Sequence, residues 1–418
     1  MVIMKKKINE IDVRMDLYPR LEVDVKKVQE YSENVELLPP IDINQNNILI
    51  DGLHRLKAHK QAKLTEIEVN VIKTESENDV VILSIEKNAK HGLMLSYRDK
   101  QSLANKLFDG KNANRLIKTL SISERTFRNW VAHKTRQLKE ERDEKIINLY
   151  LQCWTQEKIG EEVGCSQKEV SNILENFSKN GKIAEITKTF KPFTYNHWAI
   201  SQLSSNDNKS YFGFFPEIFM ENLIFYYTKP FDVVFDPMAG SGTTARVCKK
   251  WFRRYYVSDI EPNEVAKMVG VRKYDITQGL PTDLPKPNFV FLDPPYWKQA
   301  QGEYTKLRTD FSNMTLESFY GQHKILFKSL YKKIKDGGWL CFVIQGTQWR
   351  NNLKLEDHAI KFYRLLEDIG FIFEQRIILP YPTTVYNPQQ VEKSKEKKIL
   401  LTLYRDLVVF KKGGNGES

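Results

Sequence analysis

Four cysteines in 418 residues (Cys153, Cys165, Cys248 and Cys341) are too few and too scattered for a disulfide framework. None stands in a C-x-x-C pair, so a zinc ribbon and a dithiol redox centre drop out. No metal site is expected, and thiols used this way fit a cytoplasmic protein. Long apolar runs are missing too. The N-terminus carries lysines but no apolar stretch behind them, so neither a signal peptide nor a membrane span is expected. No repeat of solenoid period occurs. Acidic residues are the minority, 53 Asp and Glu against 64 Lys and Arg, and the net charge of +11 favours a nucleic-acid partner. The hydrophobic fraction of 41% leaves enough apolar residues for sizeable cores, and the length predicts two to four domains.

Against that background two turns stand out. The apolar run Asn288-Phe289-Val290-Phe291-Leu292 reads as a buried parallel strand. It ends at Asp293-Pro294-Pro295-Tyr296-Trp297, where two prolines stop the ladder and Pro294 biases Asp293 toward an extended conformation. Upstream, the strand Phe231 to Phe235 runs into Asp236-Pro237-Met238-Ala239-Gly240-Ser241-Gly242-Thr243-Thr244. Ala245, Cys248 and Trp251 then recur at helical spacing. This is strand, glycine turn, helix. The glycines let a backbone approach a ligand, and the helix start favours a negative group. The third glycine of the dinucleotide fingerprint is lacking. A second strand, Arg254 to Ser258, ends at Asp259, at the distance where an acid can hold ribose hydroxyls. A third ends at Asp275. With Asp236 and Asp293, four acids at strand ends are expected to line one crevice.

Residues from about 195 to 411 resemble the DNA amino-methyltransferases of the adenine-N6/cytosine-N4 type. Those carry a D-P-x-x-G-S-G-T-T turn for S-adenosylmethionine and a D/S/N-P-P-Y/F/W turn for the target amine. Both are intact here. The resemblance implies a Rossmann-like methyltransferase domain with Asp236, Pro237, Ala239, Gly240, Ser241, Gly242, Thr243, Asp259 and Asp275 around the cofactor. It makes Asp293, Pro294, Pro295 and Tyr296 the catalytic turn. In the family, D-P-P-Y leans toward adenine and S-P-P-Y toward cytosine, so adenine N6 is the expected target and cytosine N4 stays open. His197 and Trp198 fall in the segment that precedes the glycine turn in the family, where they either line the site or pack.

Residues 1–95 are expected to form a small α+β domain. Strands flank the Asn46-Asn47 turn, and a helix opens at Asp51-Gly52-Leu53-His54-Arg55. This resembles the ParB/sulfiredoxin N-terminal domain, whose D-G-x-H-R turn lies at a nucleotide site in some members. Asp51, Gly52, His54 and Arg55 match; residues 86–92 do not reproduce the downstream arginine box. Either a nucleotide contact or a structural turn fits. Residues 96–190 are helical and basic, with two helix-turn-helix candidates. The second, Thr155 to Leu174, has a glycine turn at Gly164, a cap at Ser166 and a core of Ile159, Val163, Val170 and Ile173. Gln167, Lys168, Ser171 and Asn172 of its second helix would face DNA. Residues 178–194 read as a linker, 298–313 as a polar loop facing DNA, and 382–398 as an exposed loop.

The expectation is a multidomain α/β enzyme with domains at 1–95, 96–190 and 195–411, acting on double-stranded DNA, with restriction-modification among its settings and an oligomer open. A ParB-like partition or regulatory protein is the competing class. An enzyme acting on RNA is a further alternative.

Overall fold

A computed structural model of the chain describes all residues except 1–2, 16, 18–22, 90–95, 180, 201–214, 299–300, 349–354, 382–384 and 414–418. The chain divides into two compact units, Met1–Arg142 and Asp143–Ser418. That division differs from the expected boundaries at 95 and 190. The division falls within a single helix of 28 residues, Glu124–Leu151.

In the first unit, β1 (Ile3–Lys7), α1 (Val25–Glu33), β2 (Ile41–Asn44), β3 (Leu49–Asp51), α2 (Leu53–Gln61), β4 (Glu66–Ile72) and α3 (Glu77–Ala89) come first. They build a four-stranded sheet in the order β1-β4-β2-β3. Ile41, Ile43, Leu53, Leu56 and Val69 form its core. Pro39 and Pro40 cannot continue a ladder, and the strand expected from Val35 starts only at Ile41. Helices α4 (Tyr97–Leu107), α5 (Ala113–Leu120) and α6 (Glu124–Leu151, whose residues from Asp143 belong to the second unit) follow, and Ser123 caps α6 by accepting from the Thr126 N–H at 3.1 Å.

The second unit starts with α7 (Gln156–Val163), α8 (Gln167–Ser178), α9 (Lys182–Thr189) and α10 (Glu217–Tyr227). Gly164 takes φ +75° to end α7, and Ser166 caps α8. Ile146, Ile159, Val170 and Leu174 close a small core with Val163 and Ile173, so the helical pair has the expected packing. The expected linker is instead α9, because Ile186, Phe190 and Phe193 pack on the main core. Then come β5 (Val233–Asp236), α11 (Thr243–Lys250), β6 (Arg254–Asp259), α12 (Glu264–Met268), β7 (Arg272–Lys273), β8 (Phe289–Leu292), α13 (Leu316–Lys333) and β9 (Trp339–Ile344). The chain finishes with β10 (Thr347–Gln348), β11 (Leu355–Glu356), α14 (His358–Ile369), β12 (Phe371–Pro380), α15 (Pro388–Lys397) and β13 (Tyr404–Lys412). Part of the expected loop 382–398 is therefore helix, because Asn387 forms a capping box with Gln390 and Pro388 occupies the first turn.

The large sheet has the order β12-β13-β9-β8-β5-β6-β7. Strands β7, β6, β5, β8 and β9 run parallel, and β13 pairs antiparallel with both β9 and β12. The chain winds outward from β5 through β6 to β7, then returns to β8 on the other side of β5. This is a doubly wound, Rossmann-like order with its switch point between β5 and β8. Both strands are buried along their length, as their unbroken apolar runs require.

Candidate active site

Ligands of doubly wound sheets bind outside the carboxyl ends of the strands at the switch point. Here the chain spends its two unusual turns on those ends. The glycine turn leaves β5 and the proline turn leaves β8, and they share a cleft of about 800 Å³. Asp236, Pro237, Ala239, Gly240, Ser241, Thr243, Asp259, Asp275, Asp293 and Pro295 line it, so the four strand-end acids meet in one crevice. Ile260, Tyr274, Ile276 and Phe311 give it an apolar side.

Asp236 anchors the glycine turn. Its carboxylate accepts from the Met238 N–H at 3.0 Å and the Thr244 hydroxyl at 2.5 Å. Complete burial raises its pKa to about 7 against the lowering effect of those bonds, and the charges of Asp259 and Asp293 add to the rise. Gly240 has φ +50°, and its N–H donates to Asp259 at 2.9 Å. The other Asp259 oxygen accepts from the Glu261 N–H at 3.0 Å. Backbone donors thus hold both oxygens, with Ile260 adding a third, and lone-pair capacity remains toward the cleft. Burial pushes the Asp259 pKa up, while these backbone bonds oppose the rise. Gly242 does not line the cleft. At φ +84° it packs the turn against Val269 and Val271.

Asp293 sits at the end of β8 with its side chain 12% exposed. Burial raises its pKa, while the Arg405 charge and the Tyr296 hydroxyl pull it back. Tyr296 donates to Asp293 Oδ1 at 2.9 Å, so its ring is folded over the turn, and neither Tyr296 nor Pro294 is in the cleft lining. The carbonyl of Trp297, next in sequence, is fixed from behind. Thr347 donates to it at 2.9 Å and contacts His358 Nε2 at 3.0 Å. Tyr320 stands at His358 Nδ1 at 2.6 Å. Because the Thr347 proton is committed to Trp297, His358 must be the Nε2–H tautomer.

Several contributors carried no sequence signal. Arg246, on α11, donates to Glu217 at 2.8 Å, to the Ser241 carbonyl at 2.9 Å and to the Thr243 hydroxyl at 3.0 Å, which holds α10 on the turn. Asp310 organises the polar segment after Trp297 through Ser312 and Thr305. Tyr304, Thr309, Asp310 and Phe311 of that segment are cleft wall. His197 and Trp198 pack against β12 and do not line the cleft. Among the described residues no group of His, Cys, Asp and Glu could hold a metal, and no helix is long and apolar enough to cross a membrane.

Residues 74–269 match a DNA methylase family model of the N6/N4 type. The match takes in the glycine turn and stops before Asp293. No curated protein matches the chain. Among solved structures, the chain is similar to a SAM-dependent methyltransferase from Archaeoglobus fulgidus (18% identity, 47% of this chain and 94% of that one, TM-score 0.30). It is similar to TrmN from Thermus thermophilus (14% identity, 47% and 49%, TM-score 0.30). A putative DNA modification methylase, also from Thermus thermophilus, matches as well (16% identity, 35% and 54%, TM-score 0.24). The chain thus spans about half the length of the last two.

The remaining candidate residues lie elsewhere. Gln167, Lys168, Ser171 and Asn172 are all exposed on α8. Phe177 of the same helix packs edge-on against Phe252 at 4.9 Å, and Arg254 lies over the Tyr150 ring at 4.5 Å, so the helical pair is fastened to the large sheet. In the first unit, Arg55 is taken up by Asp51 at 2.9 Å and by the carbonyls of Pro39 and Pro40. His54 Nε2 accepts from the Asp24 N–H at 3.1 Å, and a Cβ on Gly52 would meet Ile41 at 2.5 Å. These contacts give the D-G-x-H-R turn a structural role; residues 90–92 of the poorly matching box lie outside the described residues.

Proposed function

We propose that this chain is an S-adenosylmethionine-dependent DNA methyltransferase acting on an exocyclic base amine, with adenine N6 favoured over cytosine N4. The observation that carries this reading is the opening into one cleft, at the β5/β8 switch point, of the glycine turn and of Asp293 and Pro295 from the proline turn. The match to an N6/N4 DNA methylase model supports it.

The residues suit the cofactor. Asp259 has acceptor capacity for a ribose diol, Ile260, Tyr274 and Ile276 offer apolar surface for a purine with Asp275 beside them, and the glycine turn admits a close backbone approach. Bound S-adenosylmethionine supplies an electrophilic methyl group on a sulfonium. An exocyclic amine is a poor nucleophile, because its lone pair is delocalised into the ring. Asp293 and the Pro294 carbonyl accept its two hydrogens, which favours a pyramidal nitrogen, and the carboxylate stabilises the positive charge that grows on it. Holding the amine in line with the methyl supplies much of the rate. The Tyr296 hydroxyl has to leave Asp293 Oδ1 before the amine takes that oxygen, and its ring is then available to stack on a base taken out of the duplex. The exposed face of α8 docks the duplex through its major groove.

The test uses purified protein, S-adenosylmethionine and mixed-sequence duplex DNA, digested to nucleosides for mass spectrometry, with Asp293→Ala as control. N6-methyladenine that vanishes in the variant is expected. N4-methylcytosine would retain the mechanism and change the base. Absence of any methylated nucleoside would sink the reading.

A further inference from the structure

The mechanism above leaves one buried cation beside the reacting acid unexplained. Arg405, on β13, has a side chain only 11% exposed, yet its ion pair is loose: Nη1 lies 3.8 Å from Asp293 Oδ2. The same nitrogen donates to the Tyr296 hydroxyl at 3.4 Å. Its Nε is buried and has no hydrogen-bond partner among the described residues. The guanidinium lies 5.2 Å from the Tyr381 ring centroid and 5.9 Å from that of Phe215, which lines the cleft. A largely buried arginine held at long range, with a buried donor unused, is costly unless something needs the charge.

We propose that Arg405 is a positioning residue for the target amine: its charge holds Asp293 as an acceptor, and its bond to Tyr296 gives that hydroxyl a second partner when the base arrives. The proposal rests on the methyltransferase reading for the identity of the amine, but not for the coupling of Arg405 to Asp293. The groups that face Asp293 are Asp236 at the end of β5, Tyr296 of its own turn, Tyr381 after β12, and Arg405. Asp236 and Asp293 disfavour each other's charge, and the tyrosines are neutral, so Arg405 is the one facing group among the described residues that favours the carboxylate by charge. Burial acts against the charged guanidinium, while the Asp293 carboxylate and the bond to the Tyr296 hydroxyl favour it. When Tyr296 leaves Asp293 Oδ1, Arg405 Nη1 already reaches its oxygen, so the hydroxyl is not stranded in a buried place.

The experiment compares Arg405→Met and Arg405→Lys with the wild type in two readouts. The first is the pH dependence of kcat with duplex DNA. The second is the 13C carboxyl NMR titration of Asp293 in the full chain, assigned by its loss in Asp293→Asn. In Arg405→Met the Asp293 resonance should titrate about one to three pH units higher than in the wild type. The acid limb of kcat should move up by the same amount, with kcat at neutral pH down roughly ten- to hundred-fold and cofactor affinity unchanged. Arg405→Lys keeps the charge, so it should leave the Asp293 titration near the wild-type position; this checks the idea if the methionine variant folds poorly. A lysine variant that titrates with an upward shift, or a folded methionine variant that titrates as the wild type, would overturn the proposal. If the wild type methylates no base, the methyltransferase reading fails, and the NMR arm still decides the role of Arg405.

Discussion

Gly242 offers the sharpest test of how the glycine turn is held. A Cβ built on it stands 2.4 Å from Val269 Cγ2 and 3.2 Å from Val271 Cγ2, at φ +84°. Carbon atoms in contact prefer about 3.5–4.0 Å, so Gly242→Ala must push Val269 away by more than an ångström. Such overpacking costs about 1–3 kcal/mol. The left-handed backbone adds about 1–2 kcal/mol for a residue with a Cβ. Together the substitution should destabilise the second unit by about 2–5 kcal/mol, or lower its Tm by about 4–20 °C. Gly164 is the internal control. It has φ +75° and nothing within 4 Å of an added Cβ, so Gly164→Ala should show the backbone cost alone. Thermal unfolding followed by circular dichroism measures both. Equal losses for the two variants would show that the contact with Val269 does not hold the turn, and the account of Gly242 would be wrong. Unequal losses should come with weakened cofactor binding in Gly242→Ala, because Gly240, two residues away, presents its N–H to Asp259.

Two further outcomes follow from the same geometry. Burial depresses the pKa of His323 to about 3 and of His358 to about 4, with contacts to Phe319 and Glu356 opposing the shift. Both rings are neutral in the folded protein, so their contribution is complete above the unfolded value near 6.5 and is lost as pH falls toward 4 and below. Stability measured by urea unfolding should drop by several kcal/mol, on the order of 1.4 per pH unit per group, and His323→Phe should flatten that slope; an unchanged slope would refute the assignment. On α8, Lys168→Ala combined with Asn172→Ala should weaken duplex DNA binding about ten- to a thousandfold and leave cofactor affinity unaltered in fluorescence titrations, whereas equal DNA affinity would remove α8 from the interface.

Legibility in the sequence followed chemistry and periodicity. The strands β5 and β8 were readable because burial on both faces demands unbroken apolar runs, and their ends because proline and glycine leave few backbone alternatives. The α7–α8 pair was readable from Gly164 and Ser166, which have the turn and capping roles expected of them. What escaped depends on partners distant in sequence. Nothing around Arg246 or Arg405 distinguishes them from the other basic residues of this chain; only folding brings Arg246 to Glu217 and Arg405 to Asp293. Helix α9 was hidden for a related reason. Its few apolar residues look like a linker until the core that Ile186 joins is assembled. The segment after Trp297 reads only as a polar loop because its polar residues bond one another around Asp310, and composition cannot tell internal satisfaction from solvation.

The arrangement of the cleft also explains why the two turns need not be close in sequence. Val234 pairs with Phe289 and Phe235 with Val290 in parallel register. Asp236 and the Asp293 turn therefore leave neighbouring strands, which lie about 4.8 Å apart. The sheet itself sets the distance between the glycine turn and Asp293, and side-chain rotamers only refine it. Nearness has a cost, because Asp236 and Asp293 each raise the difficulty of charging the other. The two acids resolve it differently. Asp236 takes two short-range donors and a pKa near neutrality, which suits a residue that ties a backbone turn. Asp293 keeps one displaceable hydroxyl and a distant guanidinium, which leaves its oxygens open to exchange. In the reaction proposed above, a carboxylate that binds and releases an amine would need the second arrangement, and β13 supplies its guanidinium.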